Sequence, residues 1–481
     1  MNRHFIVAAL FALASTAWSA QPPAAKARLV VLTDIEADPD DTQSLVRLFL
    51  YSNEIDIEGI VATTSIHMRD EIHPDSVVAV IDKYGEVRAN LLKHSPGYPT
   101  ADALRARVTA GQPTYGMAAV GAGKDTEGSR QLLRALDSQD PRPLWVAVWG
   151  GSNTLAQALY SLREARGAEA AAKSIARLRV YTISDQDDSG AWMRKEFPSL
   201  FYVVSPGGYG GAIWTGIHYA VPGLDDHPIN QTISNGWLAE HIQQGHGPLG
   251  AAYPDVAYAM EGDTPSFLAL IPNGLSSPEH PDWGGWGGRY ELYTPTIENL
   301  DPNGFTGGVP VNPEVRAIWT NGIDRVTPDV AGLYGRANKP GEKSFTGYRE
   351  TLWRWRAAIQ NDFAARMDWT TRSRTEANHA PVPDLRHANA VTIRSGERFV
   401  LDATGSTDPD GDSLSFRWFH YPEAGSWKTP IKLENADNLH RRGFTAPQVT
   451  KPETAHFVLE VTDKGAPALT RYARVIVTIV P

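Results

Sequence analysis

The chain has 481 residues, 42% of them hydrophobic, with a formal net charge of −10 and no cysteine. That length suits two or three domains with sizeable cores. An acidic balance without a long basic run argues against nucleic acid or a membrane surface as partner. The lack of cysteine excludes disulfides, thiolate metal ligands and cysteine nucleophiles.

Residues 1–20 read as a cleaved signal peptide. Asn2, Arg3 and His4 precede the apolar run Phe5 to Ala14, which is too short to span a bilayer, and small residues follow up to Ala20. A secreted or periplasmic location is therefore expected. After a Pro/Ala-rich leader, the first domain is placed at 28–371.

It begins with a short buried strand, Leu29 to Leu32, and a loop carrying Asp34, Glu36, Asp38, Asp40 and Asp41. Leu45, Val46, Phe49 and Leu50 then recur at helical spacing. Two carboxylates about 5 Å apart repel by roughly 3 kcal/mol at an effective dielectric near 20. A helix cap uses one such group, whereas a hard cation such as Ca2+ takes six to eight oxygens and removes the repulsion.

Glu58 to Ala62 reads as a second strand and Asp75 to Tyr84 as a helix. Residues 95–129 form an irregular excursion and Ser129 to Ser138 a helix. Leu144 to Trp149 is a buried strand ending in Gly150-Gly151-Ser152-Asn153, with a helix from Thr154. Leu178 to Ile183 ends in a second acidic cluster holding Asp185, Asp187 and Asp188, and Phe201 to Val204 is a further strand. This alternation predicts an α/β fold, a mainly parallel sheet with helices on both faces and its chemistry at one edge.

Beyond residue 205 the alternation weakens. Glu261-Gly262-Asp263 and the segment from Pro281 to Tyr290 are rich in glycine and tryptophan. Aromatic faces such as Trp283 and Trp286 suit sugar rings, with Glu261 and His280 reaching from the same excursion. Packing inside the domain is the competing role for both tryptophans. His67 is a candidate acid near pH 7. Tyr348 to Asp368 is the domain's last helix, and 372–380 is a polar linker. Residues 381–481 carry short alternating strands and are expected to form an all-β Ig-like sandwich. Within it, Leu401 to Leu414 resembles the opening of PKD-like domains.

The acidic loop resembles the signature of the nucleoside hydrolase superfamily, Asp-x-Asp-Pro-Gly-x-Asp-Asp after a strand; here it reads Asp34-Ile35-Glu36-Ala37-Asp38-Pro39-Asp40-Asp41. Gly150 to Ala158 looks like that family's strand-to-helix turn, and Asp263-Thr264-Pro265 is similar to its C-terminal ligand motif. A closer resemblance, over nearly the whole chain, is to bacterial exported proteins described as cellulose-binding, with a nucleoside-hydrolase-like domain and an Ig-like C-terminal domain.

The resemblance implies calcium held by Asp41, Glu36, Asn153 and Asp263. It further implies Glu36 as base, Asp40 as a sugar-hydroxyl acceptor and Asp34 as a supporting acid. The family's ribose-binding block has no counterpart; His67, Asp185, Asp187 and Asp188 stand in that part of the sequence. The expectation is therefore an exported, calcium-dependent hydrolase of glycosidic bonds in carbohydrate, with a non-catalytic cellulose-binding protein as the alternative. Hydrolysis of nucleosides is not expected, and a homodimer is left open.

Overall fold

The computed structural model describes residues 25–205, 211–300, 309, 313–328, 343–434 and 439–481. The leader expected at residues 1–20 lies outside them. No helix among the described residues is long and apolar enough to cross a membrane.

The first domain is built on an eight-stranded sheet. Its strands are β1 (Ala27–Thr33), β2 (Ile55–Ala62), β3 (Val108–Ala110), β4 (Leu144–Val148), β5 (Leu178–Thr182), β6 (Phe201–Val204), β7 (Tyr290–Tyr293) and β8 (Ile318–Asn321). Their order is β3-β2-β1-β4-β5-β6-β8-β7, parallel throughout except for the antiparallel β7–β8 pair. β1 therefore sits at the point where the winding reverses. One crossover leads from it toward β2 and β3, and the later one brings β4 to its other side. Loops leaving the carboxyl ends of β1 and β4 diverge there and leave a crevice.

Two apolar layers cover the sheet. Leu29, Val31, Leu45, Phe49 and Tyr84 belong to one, and Val30, Leu32, Val146, Leu155 and Leu159 to the other. The split follows from alternate residues of β1 pointing to opposite faces. Helix α1 (Asp40–Leu50) and helix α2 (Pro74–His94) pack on the first face. The sequence ends α2 at Tyr84, but Val87 and Leu91 continue its buried stripe for almost three more turns.

Other differences have local causes. The irregular excursion contributes β3, too short to announce itself by alternation. The helix expected over Tyr348 to Asp368 is two, Glu350–Trp353 and Arg356–Asp368, broken around Arg354 and Trp355. β7 and β8 add an antiparallel edge in a region read as irregular.

The C-terminal region is all β. A four-stranded sheet (390–394, 470–480, 453–462, 415–420) faces a two-stranded one (398–402, 441–445), with Leu401, Phe444, Phe457 and Val475 between them. The Asp-rich turn at 408–412 is closed on itself: Asp408 accepts from the backbone N–H groups of Asp410 and Asp412 at 2.9 and 3.1 Å, and Asp410 binds His379 at 3.0 Å.

The polar segment between the domains is packed. Ala377, Asn378 and His379 are buried, Trp369 Nε1 donates to the Asn378 carbonyl at 2.9 Å, and Asn378 Nδ2 donates to Asp463 at 3.1 Å. Arg471 pairs with Asp362 at 2.5 Å, and Arg474 donates to the carbonyls of Leu275 and Gly284 at 2.9 and 3.0 Å.

Candidate functional site

The acidic loop follows β1, and its last two acids open α1. The Asp40 N–H donates to Asp38 Oδ1 at 2.9 Å, a local turn that starts the helix. Asp40 and Asp41 then occupy the first helical turn, where the backbone dipole favours negative charge. Thr33, at the end of β1, donates its hydroxyl to Asp41 Oδ1.

A distant segment completes the site. The Glu261 N–H donates to Gln43 Oε1 at 2.9 Å and Thr264 Oγ1 donates to Ser44 Oγ at 2.9 Å, so α1 grips the loop 261–266. Trp149, just past β4, donates through Nε1 to Ser266 Oγ at 2.8 Å, and Ser266 donates to the Asp263 carbonyl at 2.6 Å. These contacts deliver Asp263 to the other two acids. Asp40, Asp41 and Asp263 each offer a carboxylate oxygen within 4.8 Å of the others.

All three are buried, at 9%, 2% and 1% exposure, and Asp263 Oδ2 has no hydrogen-bond partner. Burial, then the charge of neighbouring acids, pushes their carboxyl groups well above the usual range. Asp34 is also buried, and burial raises it despite a hydrogen bond from Ser65. Such a group of acids is costly as it stands. Its donor set, all hard oxygen, fits a divalent cation such as calcium better than a transition metal.

The backbone is shaped to the same end. Glu36 and Glu261 have positive φ, +82° and +52°, the non-glycine residues with this conformation among those described. Side chains seldom adopt it, and it tends to gather at functional sites. Gly262 lies between Glu261 and Asp263, and a Cβ there would stand 2.6 Å from Asp40 Oδ2.

Several expected site residues have other roles. Glu36, assigned as base and metal ligand, is exposed. Its carboxylate is bonded by the Ser76 hydroxyl and lies 3.7 Å from His73, outside the three-acid cluster. The left-handed φ at Glu36 turns its side chain outward. Asn153, expected to offer its backbone carbonyl, is buried after β4, and its side-chain amide is fixed by donating to Thr64 Oγ1 at 3.2 Å and the Thr114 carbonyl at 2.8 Å, which leaves that carbonyl's role as a proposal.

Glu261 is not a cleft group. It is fully buried in an ion pair with Arg47 at 2.5 Å and accepts from Tyr253 OH at 2.7 Å, an arrangement that holds the Asp263 loop. Asp185 is taken by Arg194, through bonds of 2.9 and 2.7 Å.

Asp187 is buried and straps two turns together, accepting from the N–H groups of Ser189 and Asn153 at 2.9 and 3.1 Å. Burial lifts its carboxyl to about 6. Asp188 is exposed and accepts from the Met117 N–H at 2.7 Å. His67 is exposed on the turn after β2, close enough for its charge to act on Asp34.

The tryptophan segment lies elsewhere. Glu279 pairs with Arg179 at the amino end of β5, and the segment runs from there to Tyr290, opposite Asn321; none of His280, Trp283 and Trp286 joins the three-acid cluster. Trp286 is fully buried, and its indole N–H donates to Tyr472 OH at 3.3 Å; its role is to dock the C-terminal domain. Trp283 stacks on His280 with ring centres 3.9 Å apart and meets His456 edge-on. The glycines that suggested exposed rings instead let the two domains approach closely.

Trp214 and His218 stand beside the acids without a local signal in the sequence. Trp214 lies in a single 3-10 turn, Ile213–Ile217, which His218 closes, too short for a periodic pattern.

A parallel sheet with this winding and buried acids at its switch point define a nucleoside-hydrolase-like domain. A family model described as cellulose-binding Sde182, nucleoside hydrolase-like domain, matches residues 28–290, and one described as cellulose-binding protein Sde0182, C-terminal domain, matches residues 398–479. The chain belongs to this family.

A solved structure similar to it is a nucleoside hydrolase-related hypothetical protein from Saccharophagus degradans, associated with carbohydrate metabolism. Identity is 34%, coverage 95% of this chain and 100% of that one, and TM-score 0.76. The type III effector XopQ also matches, at 13% identity over 73% of this chain and 96% of that one, with a TM-score of 0.29, too low to carry an argument. No curated protein matches.

Proposed function

We propose that this is an exported, calcium-dependent hydrolase of glycosidic bonds in carbohydrate. The observation that carries the proposal is the buried trio Asp40, Asp41 and Asp263, with an unpartnered oxygen on Asp263. Its carbohydrate ligand is inferred from the cellulose-binding description of the family and the carbohydrate association of the Saccharophagus degradans relative.

Asp40, Asp41 and Asp263 would hold the ion. Calcium bound there would neutralise their charge and act as a Lewis acid toward water. Asp34, raised by burial and placed where its charge acts on Asp41 and Asp263, is suited to accept a proton. Glu36, exposed and bonded by Ser76, stands outside the trio and takes no part in this scheme. Direct attack of water inverts the anomeric carbon.

The exposed position of Glu36 favours a second reading, a carbohydrate-binding protein that keeps the fold without turnover. One experiment separates the two. Purified protein and Asp41→Asn are assayed for bound calcium and for release of sugar from cello-oligosaccharides and aryl glycosides, with and without chelator. The hydrolase reading expects one calcium in the wild type, none in Asp41→Asn, and release that chelator abolishes. Calcium with no release supports binding alone. Release indifferent to both chelator and Asp41→Asn overturns the metal mechanism.

A further inference from the structure

The acids account for a cation, but they leave open what selects the ligand. Trp214 stands beside them. Two of its ring carbons lie 3.1 and 3.3 Å from where a Gly262 Cβ would stand, the same point that is 2.6 Å from Asp40 Oδ2. The indole is thus a wall of the carboxylate pocket, and the missing side chain at 262 lets it in.

From Trp214 the rings step outward. His218 follows with ring centres 5.6 Å apart and planes at 51°, then Tyr219 at 4.5 Å and 53°. Exposure rises along the series, from 5% at Trp214 through a half-buried His218 to 43% at Tyr219. The outer end is braced: the Arg349 guanidinium lies over Tyr219 at 4.3 Å and its Nε donates to Thr215 Oγ1 at 2.8 Å.

Polar groups accompany the rings. His218 Nδ1 is buried without a hydrogen-bond partner, and the charge of half-buried Asp38 acts on this imidazole. Burial pushes His218 down to about 3, so the ring is neutral at ordinary pH, with one nitrogen to donate and one to accept.

We infer that Trp214, His218 and Tyr219 form a stepped platform for consecutive rings of a linear, neutral oligosaccharide entering the acidic pocket, with Asp38 and His218 Nδ1 meeting sugar hydroxyls. The inference rests on the carbohydrate reading above and names the part of the site that would choose the sugar. The rings step outward from the acids, with centres 5.6 and 4.5 Å apart and exposure rising, so a chain of several sugar rings rather than one flat base would span them. The C–H faces of such rings pack on aromatic surface while their hydroxyls need buried polar partners.

The test is a titration of the full chain with cellobiose, cellotetraose and cellohexaose, by calorimetry. Tyr219→Ala, at the exposed end, should weaken cellotetraose and cellohexaose about tenfold and leave cellobiose unchanged. His218→Phe keeps a ring but removes the nitrogens, and should weaken all three about three- to tenfold, the scale of one neutral hydrogen bond.

Bound calcium is measured in every sample. Unchanged calcium with lost oligosaccharide affinity supports the platform, whereas lost calcium in Asp41→Asn alone speaks only to the metal reading. Equal cellohexaose affinity in Tyr219→Ala and wild type overturns the platform, as does failure of the wild type to bind any of the three sugars.

Discussion

At Asp263 a single buried oxygen sets the pH behaviour to be expected of the site. Its Oδ2 is buried with nothing to accept from, while Asp40 and Asp41 press their charge upon the same space. With the carboxyl groups raised, the metal-free folded state binds protons that the unfolded chain releases near pH 4. The contribution of these three groups to stability is therefore fully present below that value and is lost as pH rises through the raised range.

Calcium should reverse that trend. Melting temperature measured from pH 4 to 8 is expected to fall with chelator and to hold or rise with calcium, and calcium addition near neutrality should release protons. Asp187 offers a contrast, since its oxygens already accept from Ser152, Ser189 and Asn153. Asp187→Asn turns an amide against those donors and should cost about 1–3 kcal/mol by chemical denaturation, with calcium content unchanged.

At the scale of elements, the site is an encounter of α1 with the loop 261–266 across the carboxyl ends of β1 and β4. Gly262→Ala tests that fit. Its Cβ would strike Asp40 and the buried Trp214, away from the two apolar layers that cover the sheet. Calcium affinity is expected to drop at least about tenfold, by equilibrium dialysis, with an overpacking cost of about 1–3 kcal/mol in stability.

The strand, acidic loop and helix were legible because apolar alternation and helical spacing are local. Asp263 was suggested only by resemblance, since no local pattern brings a residue some 220 positions away to α1. The outward turn of Glu36 was illegible for another reason: a positive φ on a glutamate is decided by the surrounding packing, not by its own preference. Trp283 and Trp286 misled because glycines that expose a ring and glycines that admit a neighbouring domain look alike in sequence.

The whole molecule is held by buried charge as well as by apolar contact. Asp362 is buried between Arg366 and Arg471, and against burial, which alone would raise it, these cations hold its carboxyl down to about 2. Its stabilising effect is present above about pH 4 and is lost as pH falls through 2. Asp362→Asn would take a carboxylate from buried Arg366, which keeps Glu54, and from half-buried Arg471, and should cost about 1–3 kcal/mol, seen as a lowered denaturation midpoint. A fragment ending at residue 380 would uncover Trp286 and Trp355, which pack against Tyr472. It is expected to aggregate or melt well below the full chain.

These anchoring contacts cluster around the lower end of α1, at Tyr51, Asn53 and Glu54, and around the segment 273–289. At the other end of the sheet the segment after β8 shares that load, since Tyr421 OH donates to Asp324 Oδ2 at 2.5 Å and the Arg325 N–H donates to Glu423 Oε1 at 3.1 Å. The chain can still serve as a chassis: an exposed position such as Tyr219 can be exchanged to graft a new ligand preference, while the buried stretch from Ile213 to Ile217, packed on Gly288 and Leu352, keeps the grip as it is.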